Sequence, residues 1–122
     1  MAKSIPEGFH SVTPRLVVRE PAKLVQFLRD TFGARGEFSS DAPSQMIIGD
    51  SIVMVSGAGT REPMLAFLYV YVDDTDATYR RALRAGAVSI EDPRDVPYGD
   101  RRAMVRDPFG NDWQIATHRV KI

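Results

Sequence analysis

The chain has 122 residues, enough for one domain with a core of its own. Its 16 Lys+Arg balance 16 Asp+Glu, so no net field favours nucleic acid or an anionic membrane surface. With no Cys, disulfides and thiolate metal sites are excluded. Hydrophobic residues at 43% argue against disorder, Met1 to Pro6 lacks the apolar run of a secretion signal, and no apolar run approaches the ~18 residues of a spanning helix. A soluble, cytoplasmic protein is expected.

In chain order, residues 1–11 form a polar lead-in with Pro6 and Gly8. Thr13 to Arg19 has strand alternation, with Leu16 and Val18 on one face and Thr13, Arg15 and Val17 on the other. Glu20-Pro21 starts a helix whose apolar stripe is Leu24, Phe27, Leu28 and Phe32, and Gly33 ends it. Glu37 to Ser40 reads as a short strand, Asp41 to Ser44 as a loop, and Gln45–Ile48 and Ser51–Val55 as strands paired around Gly49-Asp50. A polar link, Gly57 to Pro63, follows.

Met64 to Val72 has the strongest strand composition in the chain. Asp74-Thr75-Asp76 supplies capping groups for a helix with Tyr79, Ala82 and Leu83 on its apolar side, closed by Gly86. Ala87 to Ile90 reads as a short strand and Asp92 to Asp100, with Pro93, Pro97 and Gly99, as a nine-residue loop. The last hairpin turns at Asp107-Pro108-Phe109-Gly110-Asn111 between Ala103-Met104-Val105 and Trp113 to Ala116, in a loop of four or five residues. Thr117 to Ile122 is a tail.

This order, strand–helix–strand–strand–strand, occurs twice. The offset is 54 residues from Leu16 to Val70 and 53 from Gly33 to Gly86. An internal duplication is the natural reading, with each unit laying one helix on one sheet in an α+β domain.

Three segments carry a resemblance: Thr13 to Glu20 leading to Phe32-Gly33-Ala34; Val72-Asp73-Asp74-Thr75-Asp76-Ala77 leading to Ala85-Gly86-Ala87; and Tyr98-Gly99-Asp100-Arg101 leading to Val105 through Trp113. In these the chain resembles the glyoxalase/bleomycin-resistance/extradiol-dioxygenase (vicinal oxygen chelate) superfamily, and within it the PhnB-like branch, where Ala116-Thr117-His118 is a similar ending. The resemblance implies one domain over 1–122 built of two tandem βαβββ modules, at about 12–57 and 64–118. It implies a curved, half-open, eight-stranded barrel-like cleft and a homodimer, in some relatives with modules exchanged between chains. Relatives include metal-dependent isomerases and dioxygenases as well as metal-free binding proteins.

Metal-dependent relatives carry His, Glu or Gln at four strand positions. Transferred one at a time, these fall at Thr13, at Val53 or Met54, at Phe67 and at Gln114. Only Gln114 has a suitable donor, and no metal or other cofactor is expected. His10 and His118 read as surface or end-of-strand residues.

If Phe67 faces the cleft, alternation sends Tyr69 and Tyr71 there too and leaves Leu68, Val70 and Val72 under the helices. The strand is then expected to be buried on both faces. The aromatic stripe suits a flat, partly aromatic ligand. Arg15, Arg102, Met104 and Gln114 share its parity, and Tyr98 stands in the loop before the last hairpin. Arg15 or Arg102 pairs either with a ligand anion or with an internal acid. Asp112 is the one acid that reads as cleft-facing, and Trp113, of opposite parity to Gln114, reads as packed under a helix. No nucleophile–base pair emerges. The leading expectation is a metal-free, bleomycin-resistance-type protein that sequesters a small molecule, as in antibiotic resistance. The rivals are a lyase, isomerase or dioxygenase with non-standard ligands, and a regulatory or partner-binding domain with a vestigial cleft.

Overall fold

The computed structural model describes residues 4–119; the parts of the expected lead-in and tail at 1–3 and 120–122 lie outside them. The elements run β1 (Arg15–Val18), α1 (Pro21–Phe32), β2 (Ser44–Ile48), β3 (Ser51–Gly57), β4 (Phe67–Tyr71), α2 (Thr75–Arg84), β5 (Val88–Asp95), β6 (Asp100–Arg106) and β7 (Asp112–His118). They form an α+β fold with two sheets, ordered β1-β3-β2 and β4-β7-β6-β5. The first strand of each sheet runs parallel to the last strand of its own half, β1 with β3 and β4 with β7. Among the described residues no closed barrel results.

Both helices form where local chemistry places them. Pro21 occupies the first turn of α1, and Gly33 ends it in the left-handed region at φ 65°, with its amide bonded to the Arg29 carbonyl. Asp74 caps α2 by accepting from the Ala77 amide at 3.0 Å. Leu16, Val18, Leu24, Phe27, Leu28, Met46, Val53 and Val55 join Ala82, Val105, Trp113 and Ile115 in one buried cluster. The helix-facing sides of both sheets therefore share a single core. Phe32 of α1 meets Trp113 of β7 with ring centroids 5.2 Å apart.

Five expectations need correction. The strand expected at Glu37–Ser40 does not form; only Arg35 pairs with Ile47, as an isolated bridge, so the described residues form seven strands rather than eight. Gly36, at φ 131°, turns the chain off that ladder, and the Ser39 amide bonds to Ser44 Oγ instead. A Cβ at Gly36 would stand 2.3 Å from the Gln45 carbonyl oxygen, so only glycine fits.

The strand expected from Met64 begins at Phe67. Met64 makes only a bridge to Val17, while the Ala66 amide is taken by Asn111 Oδ1 at 2.9 Å. Nor is β4 buried on both faces: Phe67 and Tyr71 are 65% and 61% exposed.

In place of a short strand and a nine-residue loop, β5 runs on to Asp95 with register shifts on either side of Glu91. It is the edge strand of its sheet, where Pro93, lacking an N–H, is tolerated at an irregularity. Finally, Thr117 and His118 belong to β7 rather than to a tail.

The last hairpin forms with the five residues Asp107–Asn111 between Arg106 and its register partner Asp112. The buried Asp107 carboxylate accepts from the Phe109 and Asn111 amides, from Asn111 Nδ2 and from Trp113 Nε1, at 2.8–3.0 Å. Asp107→Ala would strand several of these donors in the interior. It is expected to destabilise the fold by about 3 kcal/mol or more in denaturant melts, and a loss under about 1 kcal/mol would show the turn holds without it.

Candidate functional site

The strand registers decide which side chains share a face. Phe67, Tyr69 and Tyr71 of β4 lie beside Asp112, Gln114 and Ala116 of β7. These continue to Arg106, Met104 and Arg102 of β6, and His118 lies opposite Asp100. The face ends on β5, where Glu91 pairs with Met104 and Arg94 with Arg102. This face is turned away from the core. Phe67, Tyr69, Tyr71, Arg102, Met104 and Gln114 thus stand on one surface.

Asp100 organises it. Its side chain is 1% exposed and accepts from three donors: Tyr69 Oη at 2.5 Å, Tyr71 Oη at 2.9 Å and His118 Nδ1 at 2.8 Å. The Tyr69 hydrogen bond, followed by that of His118, holds the Asp100 carboxyl below its ordinary pKa. Burial first, then the Asp100 contact, pushes the Tyr69 phenol up; for Tyr71 the Asp100 hydrogen bond is the largest cause. Both phenols therefore stay protonated and point their protons at one carboxylate.

Tyr98 Oη lies 3.1 Å from Tyr69 Oη and accepts from Arg102 Nη1 at 2.9 Å. Arg102 Nη2 bonds to Glu91 Oε1 at 3.0 Å, so the internal ion pair is the partner observed for this arginine. Asp112 is likewise paired, with Arg106 at 2.7 Å. Arg15 stands apart on the outer face of the β1-β3-β2 sheet, where its Nε donates to Ser56 Oγ at 2.8 Å.

A cleft of about 270 Å³ opens where the two sheets meet, along the free edge of β4. Tyr69, Tyr71, Leu68 and Val70 line one side, Pro14, Val53 and the Gly49-Asp50 turn the other, with Trp113 at its floor. Trp113 is fully buried against Phe32, as its parity implies.

Of the two middle positions, Met54 lies beside Arg15 on the outer face, whereas Val53 is in the core. Thr13, Met54, Phe67 and Gln114 do not make a divalent-metal donor set, and the described residues contain no cluster of three or more His, Asp or Glu suited to one.

Sequence reasoning missed Asp100, Glu91 and His118. Extending the parity of Met104 and Arg102 by two residues leads to Asp100, which reads from composition as the end of a loop and is the first residue of β6. His118, read as a surface or end-of-strand residue, is the half-exposed last residue of β7; its bond to Asp100 is what the sequence does not show.

The chain belongs to the glyoxalase/bleomycin resistance protein/dioxygenase superfamily, whose model matches residues 8–115. An uncharacterized Mycobacterium bovis protein, Mb0911c, is 39% identical over 109 residues, covering 89% of this chain and 68% of that protein. An uncharacterized Mycobacterium tuberculosis protein, Rv0887c, has the same identity, and the chain spans 61% of its length. Among solved structures, TioX from Micromonospora sp. ML1 is 26% identical with a TM-score of 0.75, over 89% of this chain and 98% of that one. A superfamily member from Burkholderia phytofirmans PsJN, at 20% identity and TM-score 0.73 over 87% of this chain and 96% of that one, shares the fold. No helix among the described residues is long and apolar enough to cross a membrane.

The depressed Asp100 pKa sets a pH dependence. Folding favours the ionised form, so its contribution is present above about pH 4, the unfolded value, and is lost as pH falls through the lower folded value. Asp100→Asn is therefore expected to flatten the acid limb of the stability–pH curve. A residual slope should remain from Asp76 and Asp112, whose pKa values Arg101 and Arg106 lower. An unchanged slope in acid denaturation would rule out this role for Asp100.

Proposed function

We propose that this protein is a metal-free, small-molecule binding protein of the bleomycin-resistance type, in the PhnB-like branch. It would sequester a flat, partly aromatic compound in the cytoplasm, as drug-resistance proteins do. The observation carrying this reading is that Tyr69 and Tyr71 tie their hydroxyls to Asp100 yet leave their rings on an open face beside a cleft. Their rings are 5.3 Å apart and tilted by 55°, and Phe67 extends the stripe. Tyr98, Arg102, Met104 and Gln114 border it.

We also infer one two-module domain acting as a homodimer, without nucleic acid or a cofactor. The exposed Met64 and Leu65 suit an apolar contact between copies. Pairing one copy's β1-β3-β2 sheet with the partner's β4-β7-β6-β5 sheet would bring Arg15 to the wall.

The structure selects which variants test the wall. Tyr69→Ala and Tyr71→Ala would remove donors from buried Asp100 and so confound binding with folding. Phe67 supports no such bond. Phe67→Ala is expected to leave stability within about 0.5 kcal/mol while weakening binding of flat aromatic compounds at least about fivefold. Thermal-shift screening of untagged protein finds the compounds, and titration of the variant reads the loss. A panel without a single hit, or hits indifferent to Phe67→Ala, would sink the reading. So would a stoichiometric divalent metal whose chelation abolishes an activity.

A further inference from the structure

His118 ends β7 on the same face as the aromatic stripe and is the register partner of Asp100. Its side chain is 57% exposed, while the carboxylate it touches is 1% exposed. An ionised carboxylate only accepts, so in the 2.8 Å contact Nδ1 carries the proton. A neutral imidazole held this way leaves Nε2 as a lone-pair acceptor. Among the described residues Nε2 forms no hydrogen bond.

Most other polar groups of this face are already engaged; the Gln114 amide and Arg102 Nε are without a partner among the described residues. Both stripe phenols give their protons to Asp100. Arg102 is held by Tyr98 and Glu91, and Arg106 by Asp112. Of the open polar atoms, His118 Nε2 is the one mounted on the same buried anion as the two rings, and it is an acceptor. What complements it is a donor on the ligand, not a ligand carboxylate.

We propose that His118 Nε2 is the polar anchor of the site, taking a hydrogen bond from a flat aromatic ligand that carries an O–H or N–H group at its rim. This deepens the aromatic-wall reading and rests on it. Asp100 acts through His118 as a positioning residue, fixing tautomer and ring orientation.

Two probes that differ in that donor alone make the test: 2-naphthol and 2-methoxynaphthalene, titrated calorimetrically at pH 8 into the intact chain. The wild type is expected to prefer the naphthol about tenfold. His118→Phe keeps a flat ring without an acceptor but also takes a donor from Asp100, so it is read by the ratio of the two affinities within the variant, which should fall to about one. His118→Gln, whose amide oxygen still accepts, should retain part of the preference. Equal wild-type affinity for the two probes, or an undiminished preference in His118→Phe, overturns this inference and leaves the wall standing. If neither probe binds, the wall reading falls, and this inference with it.

Discussion

The Asp107 carboxylate fixes the geometry on which the second sheet depends. It gathers two backbone amides, the Asn111 amide group and the Trp113 indole into one turn. Two consequences follow. Trp113 is held where Phe32 can pack on it, joining the last strand to the first helix. Asn111, oriented by the same carboxylate, turns its oxygen to the Ala66 amide and sets where β4 begins. A strand's side chains alternate, so a slip of one residue there would send Tyr69 and Tyr71 into the core and Leu68 and Val70 to the outside. The aromatic stripe is thus registered by a turn more than 35 residues away in sequence.

Much of the fold was legible because its signals are local. Pro21, Gly33, Asp74 and Gly86 mark helix ends by chemistry that needs no distant partner. The Asp107–Asn111 turn is equally self-contained. The failures lie where a distant partner decides. Residues 37–40 have acceptable strand composition, but Gly36 and Ser44 Oγ take their neighbours' backbone elsewhere. Pro93 argues against a strand in isolation; only the position of β5 at the sheet edge makes it compatible with one.

The candidate site divides the same way. Alternation alone put Phe67, Tyr69, Tyr71, Arg102, Met104 and Gln114 on one face, and the registers of β4, β6 and β7 do so. Alternation cannot reveal that Asp100 collects three donors from two other strands, because those contacts span 18 to 31 residues. It also cannot report exposure. The β-rich composition of β4 looks the same whether its outer face is covered or open.

The buried carboxylate explains how exposed rings can still be rigid. An aromatic side chain on an open face ordinarily keeps its rotamer freedom, and a ligand that freezes it loses affinity. Here the hydroxyls of Tyr69 and Tyr71 are bonded to Asp100 before any ligand arrives, and Tyr98 and Arg102 brace Tyr69 from the other side. The ordering is therefore complete in the folded chain. Asp100, surrounded by donors, does not need solvent. A polar cluster that would only stabilise a core instead holds an ordered apolar surface facing outward, and the proposed binding wall rests on that combination.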